Sequence, residues 1–576
     1  MPKEENSLIN VKITTLQFSD STTVEIPDSG VVLIVGPNNS GKSQSLRDIM
    51  GISSMGVSYS GKAVREVGVE KAGSQEEILS WTLQNLSMVT VDGIQRYDVP
   101  GWAGVDSNSI AIQWSQPGLN VLTPMFIYHA DATSRLTAGN SVASIDFSTA
   151  FATHPIQKAY RDGHLEREID KVSREAFGLG ISVDRYSGSV ISLRVGEPPE
   201  YSHERGVPSS HYVSSLQAMP RLEDQGDGVR SYVGLLLHIL GGVHRIMLVD
   251  EPEAFLHPPQ ARRLGKVLAE RTAGSQQVFL ATHSSDVVQG ALDAKAPVTI
   301  VRMTRNGQVN TASVLDAESV AELWSDPLLR YSNVLDGLFH DAVVLCESDS
   351  DCRYYAAVLD SLREQDNFHP SSEAARRPQL LFTHCGGKAR MSSVVRALKA
   401  AGVPVIVIAD FDILKNSTDI SRLVAELGGQ FSEVQADLNV VSSALTSEVR
   451  PVSKLAVEGD LRRRLDGIQG PNISKQEMET LRSALRAESG WDRAKRSGID
   501  AIPQGDPSKR AAALLKALES FGLLVVPVGE LERFVPSVAG HGPAWVTEVL
   551  NQGLHKSPGV TAREFVQTIE RTVVSR

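Results

Sequence analysis

The sequence predicts an α/β protein built from two successive parallel-sheet domains, and three stretches carry this prediction. Residues 31–49 read VVLIVGPNNSGKSQSLRDI, an apolar strand followed by a glycine-containing loop and a helix. Residues 245–260 read RIMLVDEPEAFLHPPQ, in which a second apolar strand ends in an acidic pair. Residues 403–412 read VPVIVIADFD, in which a later strand ends in Asp410 and Asp412. Open parallel sheets place functional groups directly after their strands in this way.

Composition bounds the class of protein. The chain has 576 residues, 41% hydrophobic and 22% charged, which suits a soluble protein of about two to four domains. No apolar run reaches the roughly 18 to 20 residues that span a bilayer, and no signal-peptide pattern opens the chain. Cys346, Cys352 and Cys385 form no CxxC pair, which disfavours a disulfide framework or zinc site and predicts a cytoplasmic protein. With a net charge of -11, any nucleic acid must be held by a local basic patch.

The loop after the first strand matches the phosphate-binding pattern GxxxxGK[ST] between a strand and a helix. Its backbone N–H groups would close around phosphates, and the helix N-terminus adds a favourable dipole. Lys42 would reach the β- and γ-phosphates, and the Ser43 hydroxyl would ligate Mg²⁺. The predicted nucleotide-binding residues of the loop are Gly36, Asn38, Asn39, Ser40, Gly41, Lys42 and Ser43.

Further candidates follow later strands of the first domain. Asp250 would hold Mg²⁺ through the ion's coordination shell, and Glu251 is placed to polarise an attacking water. His283, after the strand QQVFLA, would sense the γ-phosphate. Ser231, behind a QGDG loop, would present its hydroxyl to a phosphate across a dimer interface. Arg135 would position a phosphate or a water, the alternative being a surface arginine.

GPNNSGKS, QGDG, DEPEAFLHP and ATHSSD resemble the ABC-type ATPases of the SMC, RecF and Rad50 kind. DEPEAFLHP is especially similar to the ATPase half of the OLD (overcoming lysogenization defect) nucleases. The resemblance implies ATP as a cofactor and head-to-tail sites, each nucleotide lying between one subunit's phosphate loop and the other's signature loop. It therefore implies a homo-oligomer, a dimer or a tetramer. The QGDG loop departs from the LSGGQ signature of transporters.

A second alternation of strands and helices follows the first domain. Glu347 ends the strand DAVVLCE, and Asp351 lies one helical turn further on. A GGK turn follows the next strand, and Asp410 and Asp412 follow the third. Residues two apart point to the same side of a strand, so these two carboxylates repel each other unless a cation lies between them. Hard cations such as Mg²⁺ prefer such oxygen ligands.

The glutamate, the GGK turn and the DxD pair resemble the TOPRIM domain, in which such acids bind Mg²⁺ for phosphodiester chemistry. An ABC-type ATPase followed by TOPRIM is the architecture of the OLD family, including the Gabija GajA-type nucleases of antiphage defence. The resemblance implies a DNA endonuclease that uses Mg²⁺ or Mn²⁺, and a Gabija-type system would imply a helicase partner. By the family pattern, the site residues are Glu347, Asp351, Asp410, Asp412, Glu530, Glu532 and Lys556, the lysine stabilising charge on the scissile phosphate.

The predicted domains are an ATPase domain over residues 1–335 and a TOPRIM domain over residues 336–576. The first carries a helical insert at about 150–178, either a dimerisation arm or a solvated helix. The second carries a helical insert at about 415–515 with two basic clusters, which either grip phosphate or form solvated helix faces. The clusters are Arg462, Arg463 and Arg464, and Arg493, Lys495 and Arg496 beside Trp491.

Two other readings of the same motifs stay open at this point. One is a non-nucleolytic DNA clamp or repair sensor like SMC or RecF, whose TOPRIM acids serve only as a binding fold. The other is a primase or topoisomerase, since TOPRIM domains occur in both. No primase zinc ribbon and no topoisomerase tyrosine domain is evident in the sequence, which disfavours the latter.

Overall fold

The computed structural model describes residues 9–99, 104–146, 151–205, 207–241, 244–272, 276–325, 333–366, 377–447, 454–468, 473–484 and 489–574. The chain divides into two compact units, Met1–Phe339 and His340–Arg576. No helix among the described residues is long and apolar enough to cross a bilayer.

Strands and helices alternate through the first unit. Its strands are β1 (Asn10–Phe18), β2 (Thr23–Glu25), β3 (Gly30–Val35), β4 (Val64–Ala72), β5 (Met88–Val91), β6 (Ile94–Tyr97), β7 (Ile127–Ala130), β8 (Val142–Ala143), β9 (Ile181–Asp184), β10 (Val190–Val195), β11 (His203–Glu204), β12 (Val207–Pro208), β13 (Ile246–Asp250), β14 (Gln277–Ala281), β15 (Val298–Asn306) and β16 (Val309–Leu315). Its α-helices are Lys42–Met55, Gln75–Asn85, Ser107–Ser115, Thr123–Phe126, Ala132–Thr137, Pro155–Arg161, Gly163–Phe177, Ser210–Gln217, Asp227–Leu240, Pro258–Thr272, Ser285–Asp293 and Ala317–Ser325.

The central sheet of the first unit has six strands in the order β16-β15-β3-β14-β13-β7. All neighbouring strands are parallel except β15 and β16. Every residue of β3 is buried, as expected for a strand covered on both faces. Ile13 and Leu16 of β1 share an apolar core with Ile34 of β3 and Leu248 of β13. The carboxyl ends of β3, β14 and β13 therefore lie side by side, and the predicted nucleotide residues follow these three strands.

The segment 151–178, predicted as one helix, forms two helices, Pro155–Arg161 and Gly163–Phe177. Asp162 separates them, and its carboxylate caps the second helix by accepting from the His164 N–H at 2.8 Å. Ile156 and Ile169 are buried in an apolar cluster with Leu237, so one face of each helix packs against the unit. The strands β9 and β10 that follow these helices pair antiparallel as a hairpin.

Two histidines of the first unit predict a pH-dependent stability. His238 stacks on Tyr128 with ring centroids 3.9 Å apart, and the His244 ring lies 6.4 Å from His238. Burial lowers the pKa of His238 to about 3 and that of His244 to about 4. As the pH falls below about 6.5, the unfolded chain binds protons that the folded chain does not. The free energy of unfolding should therefore fall by up to about 1.4 kcal/mol per pH unit for each histidine.

The measurement is urea denaturation of the whole protein between about pH 7 and pH 4.5, compared with His238→Phe. Phenylalanine keeps a ring against Tyr128 but cannot titrate, so the variant should lose less stability on acidification than the wild type. Parallel pH curves for the two proteins would contradict the prediction.

The second unit is built around a smaller sheet with many helices. Its strands are β17 (Ala342–Cys346), β18 (Leu380–His384), β19 (Val405–Ala409) and β20 (Leu523–Val525). Its α-helices are Asp349–Gln365, Met391–Ala400, Ser417–Glu426, Ser432–Ser447, Lys454–Asp466, Lys475–Ala484, Gly490–Ser497, Asp506–Ser520, Gly542–Asn551 and Val560–Val574.

The sheet of the second unit has the order β18-β17-β19-β20, with every pair parallel. Val344 and Ile406 of its central strands pack with Leu524 against Tyr354 and Trp545 of the covering helices. Because the strands are parallel, the chain leaves β17, β18 and β19 at one edge of the sheet. The predicted acids and the GGK turn follow these strands, so the fold assembles them at that edge.

In the segment predicted as a helical insert, residues 415–515, the described residues are mostly helical, from the helix Ser417–Glu426 to the helix Asp506–Ser520. Trp491 in this segment is buried and donates its indole N–H to Thr446, so its ring packs inside the insert. Arg464 lies 2.8 Å from Asp460, one helical turn earlier, and Arg462 lies 3.6 Å from Glu458. These pairs favour the solvated-face reading for the first basic cluster.

Candidate functional site

The phosphate-binding loop closes around the side chain of Lys42. Its ammonium donates to the carbonyl oxygens of Gly36 at 2.8 Å and Pro37 at 2.9 Å. Burial lowers the pKa of Lys42 to about 8, against the opposing effect of nearby carboxylates. Gly36 has a φ of 144°, and a Cβ there would lie 2.1 Å from the Met303 carbonyl oxygen. Only glycine allows this close approach of the loop to β15.

Ser43 and Asp250 meet where the loop joins the end of β13. The Ser43 hydroxyl donates to Asp250 Oδ1 at 2.8 Å. These are oxygen ligands of the kind that a nucleotide-bound Mg²⁺ uses. A cavity of about 830 Å³ opens beside the loop, and Ser43, Arg47, Lys62 and His283 are among the residues that line it. A basic cavity next to a phosphate-binding loop suits a nucleoside triphosphate.

Glu251 and His283 face each other at the ends of β13 and β14. His283 Nε2 lies 3.6 Å from Glu251 Oε1, and burial lowers the pKa of His283. Glu253 is a site residue that the sequence reasoning missed. It accepts from the His283 N–H at 2.7 Å and from the Thr282 hydroxyl at 2.8 Å, so it fixes the backbone below the histidine. The sequence signal that could have revealed Glu253 is its place as the second glutamate of the DEPE stretch, residues 250–253.

The structure corrects the predictions for Arg135 and Ser231. Arg135 is 1% exposed, so the surface-arginine alternative is wrong. Its guanidinium donates to the carbonyl oxygens of Ala130, Asp250 and Glu251. Ser231 is also buried, and its hydroxyl accepts from Arg135 Nε at 3.1 Å rather than facing a partner. The arginine thus ties the end of β13 to β7 and to the helix behind the QGDG loop.

Replacing Arg135 by methionine should destabilise the first unit by about 3 kcal/mol, because the variant lacks the buried guanidinium that donates to the carbonyl groups of Ala130, Asp250 and Glu251. The measurement is the urea midpoint of the full-length protein. Arg263→Met is the matched control, because the Arg263 side chain is 40% exposed and its loss should cost less than about 0.5 kcal/mol. Equal stability losses in the two variants would contradict this role.

Three carboxylates form the acidic centre of the second unit, and they come from the ends of two adjacent strands. One carboxylate oxygen each of Glu347, Asp410 and Asp412 lies within 4.8 Å of the other two. Glu347 Oε1 accepts from the Asp410 backbone N–H at 2.9 Å, which holds the two strand exits together. Hard oxygen donors at this spacing fit Mg²⁺ or Mn²⁺. The structure therefore brings together three of the predicted metal ligands.

The electrostatics of this centre also favour a cation. Burial raises the pKa of Asp410 to about 8, and the carboxylates of Glu347 and Asp351 add to the effect. Burial likewise raises the pKa of Glu347 and of Asp351. Several desolvated acids with raised pKa values in one place mark a candidate functional site, because a bound cation would relieve their repulsion.

Lys388 is the residue of this centre that the sequence reasoning left out of the site. Its ammonium contacts the carboxylate of Asp412 and lies 3.3 Å from Glu347 Oε1. It follows β18 through the two glycines of the GGK turn. That motif was visible in the sequence, but a turn does not reveal where a lysine side chain ends.

Asp351 lies beside the centre with a capping role. Its carboxylate accepts from the Ser348 N–H at 2.9 Å and the Ser348 hydroxyl at 2.8 Å, closing the first turn of the helix Asp349–Gln365. It also raises the pKa of Asp410, and Glu532 in turn raises the pKa of Asp351. The charge of Asp351 thus interacts both with the acidic centre and with Glu532.

Glu530 and Glu532 lie beyond the last strand of the sheet, in and beside the short turn Leu531–Phe534. The strand β20 stops at Val525, because Pro527 and Gly529, with a φ of 109°, turn the chain. Glu530 and Glu532 form a second group with His541, their ligand atoms lying within 4.8 Å of one another. Glu530 accepts from Arg533 Nη2 at 3.1 Å, and Glu532 accepts from the Gly542 N–H at 2.8 Å.

Lys556 lies in a short turn, Leu554–Lys556, where its backbone carbonyl accepts from the Gln365 side chain. In the part of the chain that the structure describes, its ammonium forms no ion pair with either acidic group. Lys495 of the insert does act on the centre, because its charge lowers the pKa of Asp410.

Two family models match the chain, one in each unit. Residues 134–288 match a model described as "AAA domain, putative AbiEii toxin, Type IV TA system". Residues 338–412 match a model described as "Overcoming lysogenization defect protein-like, TOPRIM domain". The protein therefore consists of an ATPase domain followed by an OLD-like TOPRIM domain, and the predicted order of the two domains is confirmed. The second match ends at Asp412, so it does not reach Glu530, Glu532 or Lys556.

A curated relative is the Old nuclease of Escherichia phage P2, which is 24% identical over 210 residues. The match covers 34% of this chain and 34% of the relative, so the chain spans about a third of that protein's length. Among solved structures, an SMC head bound to the C-winged helix domain of ScpA covers 54% of this chain and 99% of its own, with 13% identity and a TM-score of 0.34. The SMC head domain from Thermotoga maritima covers 54% and 97%, with 15% identity and a TM-score of 0.26.

Proposed function

We propose that this protein is an ATP-regulated, metal-dependent DNA endonuclease of the OLD type. The observation that carries the proposal is the group of Glu347, Asp410 and Asp412, whose oxygens lie within 4.8 Å of one another in a TOPRIM domain. A divalent cation held there would stabilise the negative charge that develops on a phosphodiester during cleavage. The match to the Old nuclease supports the same activity.

The protein's own residues prepare this site. The Asp410 N–H orients the Glu347 carboxylate, and the Lys388 ammonium contacts the carboxylate of Asp412. The Glu347 carboxylate is therefore held in place before any substrate arrives, which lowers the reorganisation that binding requires. We assign Asp351, Glu530 and Glu532 to supporting or second-cation roles in the same reaction, and Lys556 to the substrate phosphate.

The first unit would supply the control. Lys42 and the backbone of residues 36–43 would hold the phosphates, with Ser43 and Asp250 on the nucleotide's Mg²⁺. Glu251 would polarise water, and His283 would sense the γ-phosphate. Two copies would pair through their nucleotides in a dimer or tetramer, and nucleotide binding would change the distance between TOPRIM sites. We place this activity in antiphage defence, with a helicase partner if the system is of the Gabija type.

The test is incubation of the purified protein with supercoiled plasmid and Mg²⁺ or Mn²⁺, with and without ATP. Nicked or linear DNA that EDTA abolishes is the expected result. Plasmid that stays supercoiled under all metal and nucleotide conditions, yet binds the protein, would contradict the nuclease and favour a DNA clamp. Relaxation without nicking would instead favour a topoisomerase.

A further inference from the structure

Lys388 occupies the position in the acidic centre where a bound cation is expected. Its ammonium contacts the carboxylate of Asp412 and lies 3.3 Å from Glu347 Oε1. These are two of the three carboxylates that form the candidate metal site. The Lys388 side chain is 25% exposed, so the contact is partly shielded from water and stronger than a surface ion pair.

The backbone before Lys388 fixes this position. Gly386 has a φ of 71° and Gly387 a φ of 127°, both in the region that favours glycine. The Cys385 thiol donates to the Gly387 carbonyl at 3.2 Å, and the Arg390 N–H donates to the same carbonyl at 3.2 Å. The turn is thus held from both sides, and it delivers the lysine from the end of β18 to acids that follow β17 and β19.

Lys388 also has a larger electrostatic effect on Asp410 than Lys495 of the insert has. Its charge lowers the pKa of Glu347, and it lowers that of Asp410 more than Lys495 does. Arg390, two residues further along the same turn, is exposed and acts on Cys385 instead. The turn therefore carries one cation in contact with the acids and one exposed cation, which provides a matched pair of positions.

We propose that Lys388 is an internal cation of the TOPRIM centre, which competes with the divalent metal for the oxygens of Glu347 and Asp412 and so sets the affinity of the site for metal. This rests on the proposed metal site and deepens it. An ammonium and a divalent cation on the same carboxylate oxygen repel each other and compete for its negative charge. On this proposal, metal binding at these oxygens displaces the Lys388 ammonium.

A purely structural role predicts the opposite effect on metal affinity. If Lys388 only holds the carboxylates in place, Lys388→Met should loosen them and weaken metal binding. If Lys388 competes, the same variant should bind metal more tightly, by about tenfold, since a charge-assisted hydrogen bond no longer has to break. Methionine keeps an unbranched side chain of similar length without the charge.

The experiment titrates the full-length protein with Mn²⁺ in mildly alkaline buffer without nucleotide and follows free Mn²⁺ by electron paramagnetic resonance. Mn²⁺ binding that Asp410→Ala removes belongs to the TOPRIM centre. We expect Lys388→Met to tighten this binding about tenfold, Lys388→Arg to keep it near wild type, and Arg390→Met to change it less than about twofold. The Mn²⁺ concentration for half-maximal plasmid nicking should fall in parallel in Lys388→Met.

The outcomes separate the two proposals. Unchanged or weaker Mn²⁺ binding in Lys388→Met, with an intact Asp410-dependent site, overturns the role of Lys388 alone. Equal tightening in Lys388→Met and Arg390→Met also overturns it, because general charge would then explain the effect. If neither the wild type nor Lys388→Met shows Asp410-dependent Mn²⁺ binding, the proposed metal site is overturned. The proposed competition between Lys388 and the metal is then overturned as well.

Discussion

Replacing Asp410 by alanine is expected to lower the rate of plasmid nicking by at least about 100-fold, since the change removes one carboxylate of the metal centre. Asp410 belongs to the same carboxylate cluster as Glu347 and Asp412. Its backbone N–H donates a hydrogen bond to the Glu347 carboxylate. Alanine keeps that backbone hydrogen bond, so the change acts on the metal ligand itself. The first unit is untouched, and nucleotide affinity should stay at the wild-type value.

The measurement compares initial nicking rates at saturating Mn²⁺ with nucleotide affinity from a fluorescent ATP analogue. Asp360→Ala is the matched control, because Asp360 is an exposed aspartate on a helix of the same unit. Asp410→Asn should be similarly inactive, which guards against a loss of folding in the alanine variant. Full Mn²⁺-dependent nicking by Asp410→Ala would contradict the assignment of this centre to cleavage.

Replacing Lys42 by alanine is expected to lower ATP hydrolysis by about 100-fold or more, because the variant lacks the charge that would lie on the β- and γ-phosphates. Lys42 is 4% exposed and directed into the loop by the carbonyl oxygens of Gly36 and Pro37. Its pKa is lowered to about 8 by burial, so some of its charge is lost above that pH. The ATPase activity of the wild-type protein should accordingly decline as the pH rises above about 8.

The same variant separates the two units functionally. Lys42→Ala should keep Asp410-dependent Mn²⁺ binding, since it leaves the TOPRIM residues unchanged, and any effect of ATP on nicking should disappear. Lys42→Met tests the charge with less loss of packing, and Lys266→Ala, an exposed lysine of the helix Pro258–Thr272, is the control. ATP-dependent changes in nicking that survive in Lys42→Ala would contradict control through this loop.

Local sequence patterns predicted the parts of the fold that depend on neighbouring residues. The buried strand β3, the phosphate loop and the helix beginning at Lys42 follow from one contiguous motif, as does the exit of β19 before Asp410. Strand order and helical breaks were harder to predict. The division at Asp162 and the end of β20 at Val525 depend on one capping side chain and on a turn around Gly529.

Contacts between distant residues were beyond the sequence patterns. Arg135 and Ser231 are 96 positions apart, and the bond between them became visible only once β7 and the helix Asp227–Leu240 were packed together. Glu253 and His283 meet because β13 and β14 are neighbours in the sheet. Each of these side chains is compatible with several roles, and burial selects one of them.

The sequence by itself determined that this protein has a phosphate-binding loop in one domain and acids at strand ends in another, because both are written in contiguous residues. The tertiary structure alone decided which charges share a site. It placed Lys388 between Glu347 and Asp412, gathered Glu530 and Glu532 around His541, and buried Arg135 behind Asp250. The physical reason is that Coulomb and hydrogen-bond energies depend on distances in space, and only the packed sheet sets those distances.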